Sequence, residues 1–330
     1  PPQLMHKSYV DRITPGIIDR DFDKLASCDW IIEAVIERLD IKKALYRRLH
    51  DTISTDCIVS SNTSTIPIRL LVEDMPTEFR QRFAITHYFN PVRYMRLMEL
   101  VRGEQTKSAV INKLADFNDR ILGKGVVRCS DTPGFLGNRV GVFALQVGIN
   151  EAINCGLSVE EADAIMGRPM GIPKTGVFGL YDLIGIDLMA DVVASLSQIL
   201  PDGDAFHEVG GDNKLISSMI SQGLTGDKGK GGFYKNATKG TKLVLQIEKG
   251  AVASPPNYAQ ATKLTPKPVE LALKALAAQQ EPLKPLLEGE NKYSNFARRV
   301  LARILAYSAS LIPSVTETPQ DIDDAMKLGF

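Results

Sequence analysis

Neither sign of charge predominates in the 330-residue sequence: 39 basic and 39 acidic side chains leave a formal net charge of zero. That balance argues against a basic surface tracking phosphates, and nucleic acid is not expected as a partner. Cysteine is scarce, and the four present, Cys28, Cys57, Cys129 and Cys155, show no CxxC or other metal-ligand spacing. With only four histidines, His6, His50, His87 and His207, a zinc cluster lacks ligands; no metal is expected, and a reduced, cytoplasmic setting fits best. No apolar run approaches the roughly 18–20 residues that a membrane helix needs, and the opening PPQLMHKSYV lacks the apolar core of a signal peptide, so no membrane span is expected.

The 44% apolar content is enough to bury one or two ordinary cores and excludes disorder. Residues 29–37 (DWIIEAVIE) form a near-continuous apolar run, as in a strand buried on both faces of a parallel sheet. Ile41, Ala44, Leu45 and Leu49 recur at helical steps, predicting a helix over 40–52 capped by Asp40. Strands are expected at 57–61, 83–89, 97–101 and 125–129, with a helix over 106–122 and another opened by Pro67. Strands alternating with helices predict an α/β fold with a mostly parallel sheet and ligands at the strands' carboxyl ends.

After Asp131-Thr132-Pro133-Gly134 the pattern becomes all-helical: a long apolar helix over 135–153, a second capped by Ser158 with Glu161 three residues on, and a third over 178–200. Residues 223–232 are rich in glycine and lysine without strand or helix pattern, and 235–260 read as a linker or small hairpin. A shift of 160 residues lays Arg139, Val140, Leu145, Asp163 and Met166 on Arg299, Val300, Leu305, Asp323 and Met326, and Ser158 on Thr318. This predicts a duplicated helical unit whose copies, 131–200 and 295–330, pack on each other as two subunits of a dimer would.

Several polar residues suit a reaction at the sheet edge. His87, near a strand end, is the side chain best poised to take and return a hydroxyl proton, and Glu99 in the next strand is a carboxylate that can orient it. Ser64, at the tip of the preceding strand, and Asn138, opening a helix, can hydrogen-bond a reacting oxygen, although Asn138 also fits a plain helix cap and His87 a structural role. Glu37 sits where a ribose would meet the sheet's mouth, or is a solvated strand end. Lys228 and Lys230 in GDKGKGGFY either reach a phosphate or belong to a mobile loop.

GxGxxG, the loop that seats a dinucleotide pyrophosphate on a helix N-terminus, is absent throughout. The start, Pro-Pro without Met and soon running into a buried-looking strand, reads as a fragment, with that loop ahead of Pro1.

The motifs SSNTS (60–64), THYFNPVRYMRLMELV (86–101), DTPGFLGNR (131–139) and GKGGFYK (229–235), in this order and spacing, closely resemble the L-3-hydroxyacyl-CoA dehydrogenases of fatty-acid β-oxidation over about residues 25–237. The remainder resembles the bacterial fused form, in which a second helical domain and an enoyl-CoA hydratase domain follow. The resemblance implies a Rossmann-like, N-terminally truncated NAD domain (1–130), a helical C-terminal domain (131–237), a linker (238–294) and a partial second helical repeat (295–330).

It also implies NAD as cofactor, an acyl-CoA substrate, and a thiolase partner or homo-oligomer for the full-length protein. By resemblance, His87 is the general base and acid, Glu99 its orienting partner, and Ser64 and Asn138 ligands of the substrate oxygen. Glu37, Lys42, Ser64, Asn90 and Lys228 match positions that contact NAD. The fragment itself is expected to bind NADH weakly, and Arg93 departs from the family's commoner proline without an assigned role. A non-catalytic protein reusing the fold, and a β-hydroxyacid dehydrogenase with a lysine base, are the competing readings; the four polar residues together disfavour the first, and HYFNP with the His87–Glu99 pair the second.

Overall fold

In a computed structural model, residues 4, 6–237, 240–262 and 265–329 are described, and the chain divides into two compact units. The first comprises residues up to Gly137 together with 311–329; the second comprises 138–310. These cuts differ from the domain limits read from the sequence.

After a 3-10 helix over Lys7–Arg12, the first unit runs α1 (Ile18–Asp21), β1 (Trp30–Glu33), α2 (Leu39–Thr52), β2 (Ile58–Ser61), α3 (Ile68–Leu71), α4 (Thr77–Arg80), β3 (Phe83–Tyr88), β4 (Leu97–Arg102), α5 (Ser108–Asp116) and β5 (Gly125–Cys129). The strands form one sheet in sequence order; β1, β2 and β3 are mutually parallel, β4 is antiparallel to β3, and β5 is parallel to β4. The reversal follows from the connection: residues 89–96 are too few for the crossover helix that a parallel neighbour requires.

Strand periodicity sorts the side chains onto two faces. On one, Ile58, Ala84, Met98 and Leu100 pack with Ile111 and Leu114 of α5. On the other, Phe83 meets Tyr46 of α2, with ring centroids 5.1 Å apart, and Phe79 closes the cluster. The first strand is shorter than its apolar run suggested, ending at Glu33. Asp40 does not cap α2: Arg38 occupies that position, and Asp40 pairs with it at 2.6 Å.

The second unit contains α6 (Gly137–Asn154), α7 (Val159–Ile165), α8 (Gly176–Ile184), α9 (Ile186–Ile199) and α10 (Lys214–Ser221). Strands β6 (Tyr234–Asn236), β7 (Lys242–Leu245), β8 (Ile247–Glu248), β9 (Ala251–Val252) and β10 (Tyr258–Gln260) follow, then α11 (Lys267–Ala277), α12 (Leu283–Leu287) and α13 (Lys292–Ser310). Ser158 and Glu161 form a complete capping box on α7. The expected long third helix is two, because Gly185 at φ 116° lies outside the helical region and breaks the run. Where a linker or hairpin was expected, β10, β7 and β6 form a three-stranded antiparallel sheet.

Helix α13 packs along the first helical copy. Tyr307 stacks on Phe143 at 4.0 Å, Glu151 accepts from Arg299 and Arg303, and Tyr293 donates to Glu161 at 2.7 Å. The chain then returns to the first unit, where α14 (Pro319–Gly329) packs on β5 and β4 with Leu328 against Gly125. Only the long helix of the second copy therefore meets the expectation of two copies packed together; its short helix lines the sheet's edge strand.

Candidate active site

The antiparallel register puts His87 of β3 directly opposite Glu99 of β4, on the same face of the sheet. Their side chains meet: Nδ1 lies 2.7 Å from Oε2 of Glu99. Glu99 is fully buried, and its other oxygen, Oε1, accepts the backbone N–H groups of Leu136 at 2.9 Å and Gly137 at 2.6 Å. Cys129 adds a weak S–H donor to Oε1 at 3.7 Å, and burial pushes its thiol well above the ordinary range, keeping the proton on sulfur. An oxygen that receives three donors, beside one that faces a ring nitrogen, suits the carboxylate anion. With Nδ1–H donating to it, Nε2 is left as the acceptor, and Nε2 has no hydrogen-bond partner among the described residues.

The imidazole is boxed by aromatics, Phe89 at 4.5 Å and Phe135 at 5.8 Å between ring centroids. Two successive left-handed residues, Gly134 at φ 74° and Phe135 at φ 46°, turn the chain so that the Leu136 and Gly137 N–H groups face Glu99. A Cβ at position 137 would come within 2.8 Å of the tip of the Phe89 ring and push it toward His87's side of the box, so glycine leaves that ring where it is. The sequence placed Phe135 at a helix start and gave these backbone donors no part; the proline-glycine-aromatic run was the available signal.

The loop after β2 is fixed beside this pair. Oδ1 of Asn62 accepts the N–H of Tyr88, the residue following His87, at 3.0 Å. Ser64 stands half-buried on the same loop. Thr63 and Thr65 both donate to Oε1 of Glu37, and Lys42 lies 3.2 Å from Oε2. Burial opposes ionisation of Glu37, but the Thr63 hydroxyl and the Lys42 ammonium outweigh it and hold the carboxyl below its usual range. Its side chain is 40% exposed, whereas that of Lys42 is 1% exposed.

Lys42 spends its three N–H donors inside the protein, on Glu33 at 2.8 Å, Glu37 and the Val35 carbonyl at 3.3 Å. The residue thereby holds Glu37 in place. Glu33 accepts from Val35, Lys42, Tyr46 and Ser61 and is fully satisfied by the protein. Asn90 is exposed just past the end of β3.

Asn138 and Lys228 belong to the second unit. Asn138 is half-buried in the first turn of α6, directly after Gly137 in the chain, and Lys228 is exposed in the 223–232 loop. Gly226 and Gly232 press against Asp182, where a Cβ would approach its carbonyl oxygen to 2.5 Å and its carboxylate to 1.9 Å. Phe233 and Tyr234 then donate their N–H groups to the Asp182 carboxylate at 2.8 and 2.7 Å. A separate cleft of about 600 Å³ in this unit, lined by Asp163, Asp182, Lys174, Lys235 and Lys242, holds none of the residues read as catalytic.

Comparison with known proteins adds independent information. Residues 3–132 match the model of the 3-hydroxyacyl-CoA dehydrogenase NAD binding domain, and 134–236 that of the C-terminal domain of the same enzymes. The chain is 37% identical over its full 330 residues to a Rickettsia felis protein carried under the name fatty acid oxidation complex trifunctional enzyme, covering 44% of that relative. A Bacillus subtilis protein carried under the name 3-hydroxyacyl-CoA dehydrogenase is 33% identical over 330 residues, with 41% of its length covered. The chain thus spans less than half the length of these curated relatives. Among solved structures, a 3-hydroxybutyryl-CoA dehydrogenase of Escherichia coli K12 superposes over 94% of this chain and 73% of that one, with a TM-score of 0.68 at 23% identity, a likeness of fold.

Proposed function

Because the chain belongs to the 3-hydroxyacyl-CoA dehydrogenase family, we propose that it carries out the NAD-dependent oxidation of (S)-3-hydroxyacyl-CoA to 3-ketoacyl-CoA in fatty-acid β-oxidation. The observation that carries this reading is the 2.7 Å contact of His87 Nδ1 with the buried Glu99 carboxylate, which leaves Nε2 as a base. In this reading Nε2 takes the 3-hydroxyl proton. Glu99 holds the tautomer and stabilises the imidazolium that forms, so the charge develops beside a pre-oriented anion rather than in water. Ser64 and Asn138 hydrogen-bond the substrate oxygen; Asn138 is one peptide, about 3.8 Å between Cα atoms, from the glycine whose N–H serves Glu99.

NAD, when bound, accepts the hydride from C3. The residues present fit it: Glu37 offers an exposed, ionised acceptor past the carboxyl end of β1, and the Ser64 loop and Asn90 follow the ends of β2 and β3, where open sheets take ligands. Glu37, Lys42, Ser64, Asn90 and Lys228 are the proposed cofactor contacts, Lys42 also holding Glu37. The division into 1–130, 131–237, 238–294 and 295–330 is proposed as the division by descent, supported by family matches ending at 132 and 236.

An acyl-CoA substrate, with a thiolase partner or a homo-oligomer in the full-length protein, belongs to the same proposal; the trifunctional name of the Rickettsia relative supports it. No helix among the described residues is long and apolar enough to cross a membrane. A cytoplasmic location is proposed, supported by four cysteines that remain thiols.

The test is NADH formation from (S)- and (R)-3-hydroxyacyl-CoA, followed by absorbance, with the longest reading frame that contains this chain. Turnover of the (S) substrate alone is expected. A protein that binds NAD and the thioester yet forms no NADH would overturn the reading.

A further inference from the structure

Helix α3 starts with a defect that the rest of its own segment cannot mend. Its N-cap is Pro67, which has no side-chain acceptor, so the N–H groups of Ile68 and Arg69 lack a local partner, and Ile68 is buried. The acceptor comes from far along the chain: Oδ1 of Asp131 lies 2.6 Å from Ile68 N, and Oδ2 lies 3.0 Å from Arg69 N. A helix of four residues has little stability of its own, so this carboxylate decides where it sits. The Ser64 loop leads directly into it, and Oγ1 of Thr63 accepts the Ile66 N–H at 3.0 Å within the same turn.

Asp131 also begins the other loop that matters. From it the chain passes through Thr132, whose carbonyl accepts Phe135 N–H at 3.2 Å, into the left-handed pair Gly134 and Phe135, and then to the two N–H groups on Glu99. The preceding residue is fixed as well, with Ser130 N–H donating to the Val315 carbonyl at 2.9 Å. One carboxylate thus joins the loop carrying Ser64 to the loop that orients Glu99.

We propose that Asp131 is a positioning residue of the reaction, holding these two loops in mutual register so that the His87–Glu99 pair and Ser64 face one substrate. The proposal rests on the dehydrogenase reading given above, although the coupling it describes can be read without any turnover. Burial raises the Asp131 carboxyl above the ordinary carboxylate range, against the two N–H groups that favour its charge, in keeping with a group kept for its geometry.

The experiment is amide hydrogen exchange and steady-state kinetics on Asp131→Asn, with Asp131→Glu as a second variant that keeps both acceptors on a longer stem. In the Asn variant the amide's NH2 must face one of the two helix donors. Ile68 and Arg69 on one side, and Leu136 and Gly137 on the other, are expected to exchange about 10-fold faster together, while Val59 in the sheet is unchanged. For the oxidation, kcat should fall about 10- to 100-fold with KM for NAD within about twofold, and the Glu variant should recover part of it. Faster exchange at Ile68 and Arg69 with full protection at Leu136 and Gly137 would overturn the coupling in either variant, as would an unchanged kcat. Coupled exchange in a wild-type protein without turnover would uphold the link between the loops and remove the dehydrogenase reading instead.

Discussion

The backbone N–H of Gly137 donates to Oε1 of Glu99 at 2.6 Å, so the carboxylate that orients His87 is itself oriented by main chain rather than by a cation. A backbone donor cannot swing away. The pair's geometry therefore depends on the charge and acceptor capacity of Glu99.

Glu99→Gln is expected to damage the pair more than its size suggests. The amide would have to place NH2 against either the His87 Nδ1–H or the two backbone donors, and the imidazole would turn over to its other tautomer. Turnover should fall about 10²- to 10⁴-fold, as for His87→Gln, with NADH affinity retained. Steady-state kinetics beside a binding titration checks this, and wild-type turnover in either variant would remove the assignment.

The second unit should lose stability as the solution is made less acidic, through Asp182. Burial drives its carboxyl from the ordinary 3.8 up to about 7, against the Tyr234 and Phe233 N–H groups that bond it. A raised folded-state value means that the native state binds more protons over this window. The contribution is therefore fully present below about 4 and is lost as pH rises through about 7. Relative to Asp182→Asn, which does not titrate, wild-type stability is expected to decline by about 2–4 kcal/mol between pH 4 and 8. Urea unfolding of both proteins across that range measures it; a constant difference would contradict it.

Ser158→Ala removes the hydroxyl that accepts the Glu161 N–H, leaving the bond from its own backbone N–H to Glu161, and should cost about 1 kcal/mol. Thr318→Ala should cost less, because the bonds its hydroxyl makes with Asp321 are exposed to water, which replaces them, whereas the Ser158 cap is part-buried. Denaturant midpoints compare the two. A larger loss at Thr318 would mean that the second copy's cap does more than its hydrogen bonds imply.

Glu151 is buried between two arginines of α13, accepting from Arg299 and from Arg303 at 3.0 Å. Desolvation disfavours its charge, but the arginines win and hold the carboxyl below the usual range. Replacing Arg299 and Arg303 together by Ala leaves that buried carboxylate unpaired and should therefore cost about 3 kcal/mol or more, whereas Arg303→Ala alone, at a residue 31% exposed with its partner still served by Arg299, should cost under about 1 kcal/mol. Thermal unfolding of the two variants separates these expectations, and equal losses would refute the asymmetry.

Much of this protein was settled by local order along the chain. Alternating apolar runs and helical repeats fixed the α/β class, because burial on a face imposes a period that the order of residues displays. Ser158 with Glu161 announced its helix because a capping box spans three residues, and the 160-residue repeat announced a second helix that α13 fulfils. The family motifs carried His87 and Glu99 as a pair. Other features were decided only when distant segments met. The register that faces His87 with Glu99 depends on β4 reversing beside β3, a choice set by the connection between them. The pairing of Lys42 with Glu33 and Glu37, and the seat of Gly226 and Gly232 against Asp182, likewise exist only in the folded chain. Asp131 bonds residues more than sixty positions earlier, and no local pattern records which orphaned donors a carboxylate will satisfy, because that depends on where folding brings two backbones together.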